Sequence, residues 1–207
     1  MEQQIHINYS KEKNNILSYI NRKLPKLLAF FHISCLDHTL EIFIYDDLLM
    51  FKNNYQNKTK KEYKNWICGF QGKNEIHLLD YQNYLLTEGH QNQTKEDYLK
   101  LVIHEIIHDL HLQYNRNHGN EPRSFLYLTE GLASYLSEQY PNPIFNNRIP
   151  VEAFLNNEVV NYENYAYIIK FLIENYEHEY LLKLISNESF ARKETQKIIH
   201  NIKEKQI

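Results

Sequence analysis

Cysteine is scarce in this chain. Cys35 and Cys68 are the only two, too few for a disulfide framework, and free buried thiols in a reducing compartment are the expectation. Glycine and proline are scarce as well, five of each beside 17 tyrosines, which suggests long elements joined by few tight turns. No run approaches the ~18 consecutive apolar residues of a membrane span. Met1 to His6 lack the basic region and apolar core of a secretion signal, so a cytoplasmic protein is expected if Met1 is the natural start. A net charge of -3 gives no reason to expect a polyanionic partner. The one basic run, Lys58 to Lys64, contains Glu62 and reads as a solvated loop rather than a nucleic-acid contact. What is present is 43% hydrophobic and 24% charged, an ordinary globular balance in 207 residues. That length fits one domain, 1–207, with an N-terminal lobe to about residue 92 and a helical lobe from about 93.

One stretch stands out, His104-Glu105-Ile106-Ile107-His108, inside the apolar run Leu101 to Leu110. Residues four apart share a helix face, so His104 and His108 can present two imidazoles to one metal ion. Glu105 sits one step round, where its carboxylate can reach a metal-bound water without being a ligand. Zinc lowers such a water's pKa towards ~7, and the carboxylate can then act as general base. The pattern H-E-x-x-H-x-x-G-x-x-H would need Gly at 111 and His at 114; His111 and Tyr114 stand there instead, which excludes that class. A glutamate from a following helix is the other common third ligand, and Glu130 has that setting. The small Gly131 and Ala133 would let its helix pack close to the first.

Read in order, the chain predicts an α+β fold: a small N-terminal mixed sheet with helices, then a helical C-terminal half, with the zinc-binding helix at the junction. A helix is expected from Ser10, as N-cap, to about Phe31, with Pro25 a possible kink. Thr39 to Tyr45 reads as a strand, Asp47 to about Tyr55 as a short helix, and Trp66–Phe70 with Glu75–Leu79 as a hairpin. Thr94 and Asp97 form a capping pair for a helix running to about Tyr114, followed by a loop to Pro122. Further helices are expected from Phe125, capped by Ser124, to about Tyr140, over 150–156, from Tyr162 to about Ile185, and from Glu188 to about Lys203.

His104-Glu-x-x-His108 followed by Leu128-Thr129-Glu130-Gly131-Leu132-Ala133 resembles the gluzincin branch of zinc metallopeptidases. Within that branch it is similar to the short bacterial peptidase-MA-like domains and to the catalytic core of the aminopeptidase N and leukotriene-A4 hydrolase group. The resemblance implies one zinc per chain on His104, His108 and Glu130, with Glu105 catalytic. Tyr162 to Leu172 is similar to the helix that begins with a catalytic tyrosine, which implies Tyr162 as an oxyanion donor. Tyr165 stands where that group usually has glycine, and is the alternative tyrosine. The run Trp66 to Gly72 resembles the strand lining the substrate groove. The aminopeptidases carry an acid there for the substrate's free amine; Gly69-Phe70-Gln71-Gly72 has none, so cleavage is expected to be internal. The function implied is a zinc-dependent endopeptidase acting on peptides or proteins, with no nucleic-acid or membrane partner and no indication of oligomeric state. Two alternatives stay open: an inactive zincin-like module that binds a protein partner, and a zinc hydrolase for a non-peptide bond. Asp109 reads either as an orienter of a ligand imidazole or as a surface acid. His111 reads as a wall of the cleft before a fourth ligand, and His118 as a solvated loop residue.

Overall fold

The computed structural model describes residues 5–8, 11–120, 125–158 and 161–205. Its fold is α+β with a helical C-terminal half, as the sequence predicts. The chain divides into two compact units, residues 1–110 and 111–207.

The first unit is built on a four-stranded sheet, with β1 (Ile5–Asn8), β2 (Leu40–Tyr45), β3 (Gly69–Gly72) and β4 (Glu75–Leu79) in the order β1-β2-β4-β3. The first three neighbours run parallel and β3 pairs antiparallel with β4, leaving β3 at an edge. Period-two alternation divides each strand between two faces. Leu40, Ile42 and Ile44 of β2 share one face with Ile76 and Leu78 of β4, and all are buried. The opposite face carries a ladder in register across three strands, Phe43, His77 and Phe70. Their rings stack with centroids 5.0 and 4.5 Å apart. Helix α2 (Leu48–Thr59) covers this face, setting Phe51 and Tyr55 against Phe70. Asp47 caps α2 by accepting from the Leu49 and Met50 amides.

Helix α1 (Lys13–Phe30) runs through Pro25 without a break, and its N-cap position is Glu12; Ser10 lies outside the described residues. A short α3 (Tyr81–Tyr84) follows β4, capped by Asp80. Helix α4 (Lys95–Asn117) opens with the expected pair: the Thr94 amide donates to Asp97, and the Asp97 amide donates back to the Thr94 hydroxyl. It runs one turn beyond the expected end. Gly119, in the left-handed region at φ 68, closes it with the Asn120 amide bonded to the Asn115 carbonyl. Pro122 lies outside the described residues.

The second unit holds α5 (Leu126–Leu136), α6 (Val151–Leu155), α7 (Tyr162–Asn175), α8 (His178–Ser186) and α9 (Glu188–Lys205). Three expectations need correction here. Phe125 takes the N-cap position of α5, and Ser124 lies outside the described residues. Helix α5 stops at Leu136 because Glu138 turns left-handed (φ 63), with the Gln139 amide bonding the Ser134 carbonyl. The single helix expected from Tyr162 to Ile185 is two, because Tyr176 is extended between them while the Asn175 side chain donates back to the Phe171 carbonyl. Both cysteines are free; Cys68 is buried as expected, whereas Cys35 is exposed. The basic run begins as the end of α2, where Lys58 pairs with Glu75. No helix among the described residues is long and apolar enough to cross a membrane.

His77 is the polar centre of the first unit. Its Nε2 faces the Glu75 carboxylate at 3.1 Å, so that nitrogen carries the proton and Nδ1 accepts from the Tyr45 hydroxyl at 2.8 Å. The neutral ring is thereby satisfied at both ends. Burial holds its pKa below the usual 6.5, outweighing the opposing effect of its hydrogen bond to Glu75. Burial likewise lowers His90. A folded pKa below the unfolded one means that protonation favours the unfolded chain, so stability is lost as pH falls below about 6.5. Thermal midpoints measured from about pH 7.5 to about pH 5.5 should fall, and fall less steeply in His77→Phe. An unchanged slope in that variant would contradict the assignment.

Candidate metal centre

Helix α4 places its motif residues by simple periodicity. His104 and His108 lie one turn apart on one face, and their Nε2 atoms point at one another 3.0 Å apart. On the neighbouring stripe, also one turn apart, lie Glu105 and Asp109. Six apolar residues of the same helix, Leu101, Val102, Ile103, Ile106, Ile107 and Leu110, are buried around them.

Glu130 stands in the middle of α5. One ligand atom each from His104, His108 and Glu130 lie together, all within 4.8 Å of one another. Four ligands around a tetrahedral zinc with bonds of about 2.0–2.1 Å sit roughly 3.3 Å apart; the 3.0 Å between the two imidazole nitrogens is near that spacing. The donor chemistry suits zinc too, since two imidazole nitrogens and a carboxylate are a common borderline-soft set. His104 is buried, and His108 and Glu130 are half-buried. Among the described residues no other group of three His, Cys, Asp or Glu side chains gathers in this way. Glu105, although only 7% exposed, is outside the group.

The space around Glu105 is set by a glycine. A Cβ added to Gly69, the first residue of β3, would lie 2.9 Å from Glu105 Oε1 and 2.9 Å from the Leu78 side chain. Any larger residue at 69 would have to displace the carboxylate. Cys68, just before it, is buried, and its thiol pKa is pushed up to about 12 by burial and then by the Glu105 charge. It is an inert packing residue in this state.

Asp109 is not a surface acid. It is 1% exposed; Gln71 of β3 donates to its Oδ1 at 3.3 Å, and His38 Nε2 lies 3.2 Å from its Oδ2. His111 is outside the metal-ligand group and has a structural task, its Nε2 bonding the Ile185 carbonyl at 2.9 Å. His118 is exposed beyond the end of α4, bonded to the Tyr114 carbonyl.

Tyr162 is the first residue of α7 and half-buried. Asn161 caps this helix through the Asn164 amide. Tyr165, one turn on, is fully buried, and its hydroxyl meets no hydrogen-bond partner. Burial pushes the Tyr165 pKa up. Gly131 explains how α7 comes to lie so near Glu130. A Cβ there would meet the Tyr165 carbonyl oxygen at 2.5 Å and its carbon at 2.8 Å.

No family model matches the chain, and no curated protein matches it. Sequence reading missed His38 and Gln71, because neither stands near Asp109 in the chain and neither belongs to a local motif.

Gly131→Ala should therefore push α5 and α7 apart. Overpacking of this kind costs about 1–3 kcal/mol. Denaturant unfolding measures it, and an unchanged midpoint would mean that the two helices do not depend on the contact.

Proposed function

We propose that the chain is a zinc-dependent peptidase of the gluzincin type that cleaves peptide bonds internally. The observation that carries this reading is the convergence of His104, His108 and Glu130, with Glu105 buried beside them and kept out of the ligand set. Zinc held there supplies Lewis acidity towards a carbonyl oxygen and a more acidic water. The chain's own residues do the rest. His104 and His108 would hold the zinc through Nε2, and Glu130 would supply a negative charge that offsets part of the cation's. Glu105 accepts a proton from the attacking water and returns it to the leaving nitrogen. The missing side chain at Gly69 keeps that carboxylate in place against β3. Strand β3 offers no acid for a substrate's free amine, which supports internal cleavage, since a buried ammonium without a partner is expensive.

Tyr162 is the proposed hydrogen-bond donor to the oxygen on which charge builds. It is half-buried at a helix start, whereas the Tyr165 hydroxyl is shut away from solvent. A donor that acts mainly in the transition state shows in kcat more than in KM.

Glu105→Gln should keep zinc and lose nearly all hydrolysis, because an amide of the same shape cannot accept the proton. Wild-type turnover in that variant would overturn the general-base role. Tyr162→Phe should lower kcat by ~10²–10³ with zinc retained. Tyr165→Phe, which removes a buried hydroxyl without a partner, should be neutral or stabilising and leave kcat alone. A fall in Tyr165→Phe instead would move the donor role to Tyr165.

A further inference from the structure

The stripe of α4 that carries Glu105 also carries Asp109, and both meet the same strand. Gly69 and Gln71 are two apart on β3, so they share a face, the face of Ile76 and Leu78 in the paired register. Their separation along the strand is about 6.6–6.8 Å. Glu105 and Asp109, four apart on a helix, are separated by about 6 Å. The two spacings match, and both contacts form together. Gly69 lies against Glu105 while Gln71 donates to Asp109. The strand is an edge strand of four residues, held in the sheet by β4 alone. A second restraint on its register therefore matters.

That restraint has a support of its own. The buried Asp109 carboxylate accepts from the Gln71 amide at Oδ1, and His38 Nε2 lies 3.2 Å from Oδ2 in an electrostatic contact without hydrogen-bond alignment. The other nitrogen of His38 is held by Asp37 at 2.5 Å. The His38 side chain is itself largely covered, in the loop that leads into β2. The chain Asp37, His38, Asp109, Gln71 thus runs from the surface to the edge strand, ending one residue pair away from Glu105.

We propose that Gln71 and His38 are positioning residues: acting through Asp109, they fix β3 on α4 so that Gly69 sets the orientation of the Glu105 carboxylate. The proposal rests on Glu105 being the general base. It explains why the amide of Gln71 goes to Asp109. A slip of β3 by two residues would bring that amide against Glu105 instead, where it would tie up a lone pair that the proton transfer needs.

The test exchanges donor and acceptor. Gln71→Glu sets two carboxylates against each other. Gln71→Glu combined with Asp109→Asn restores a hydrogen bond in the reverse sense, with the same net charge as the wild type. A second arm compares His38→Leu, which removes the nitrogen facing Asp109, with His38→Gln, which keeps a polar nitrogen there. Two readouts are taken on each protein. One is amide hydrogen exchange of residues 69–72 in the metal-free protein, with β2 as internal control. The other is zinc content with kcat and KM on an N-acetylated peptide.

Gln71→Glu and His38→Leu should speed β3 exchange by roughly tenfold with β2 unchanged. The same variants should lower kcat by about tenfold or more at unchanged zinc content, because small misplacements of a reacting group are costly. The double variant and His38→Gln should recover both readouts to within about threefold. Unaltered β3 exchange in Gln71→Glu and His38→Leu, or a double variant no better than the single, would overturn the clamp. Faster exchange with unaltered kcat would overturn the positioning role while leaving the peptidase reading intact. A wild type that hydrolyses nothing would remove the positioning role together with that reading, while β3 exchange still decides the clamp.

Discussion

The geometry of one helix governs the candidate site. A turn of 3.6 residues puts 104 with 108 and 105 with 109, and the two pairs face different surroundings. The first pair points its Nε2 atoms towards one place. The second lies along strand β3, with a glycine opposite the glutamate and a glutamine opposite the aspartate. Shifting any of these residues by one position would separate the pairs. The six buried apolar residues between them hold the helix so that neither stripe can rotate away.

Glycine has a small and specific part in this. Of the five in the chain, Gly69 and Gly131 are needed for close approach, not for turning. Gly69 makes room for the Glu105 carboxylate, and Gly131 makes room for the backbone of α7 at Tyr165. Each therefore adjoins a residue of the proposed chemistry, and at each the neighbour would have to move for a methyl group. Gly119 does the other kind of work, closing α4 at a positive φ that other residues rarely adopt.

Local signals were legible in the sequence. The histidine stripe on α4, the Thr94–Asp97 capping pair, the β3–β4 hairpin (its first strand at Gly69–Gly72 where Trp66–Phe70 was expected) and the alternation of β2 all depend on residues a few positions apart. The failures share a cause. Strand β1 is four residues long and exists only because it pairs with β2, more than thirty positions later. The end of α5 carries Glu138 where a glycine would have announced the left-handed turn. The break between α7 and α8 falls at Tyr176 and Glu177, with no glycine or proline to mark it and apolar spacing continuing across it. Asp109 looked ambiguous because its partners, His38 and Gln71, come from distant segments. Gly131 was read as a site of close packing, and the backbone it admits is that of α7 at Tyr165.

The zinc-peptidase reading is tested most directly on the wild-type chain. Purified protein would be stripped of metal, reloaded with one equivalent of zinc, and given a mixture of N-acetylated peptides, with cleavage followed by mass spectrometry. Internal cleavage by the reloaded protein, absent from the stripped protein and abolished again by chelator, is the expected result. Zinc that fails to bind, cleavage that persists in chelator, or a zinc-loaded protein that leaves every peptide intact would contradict it.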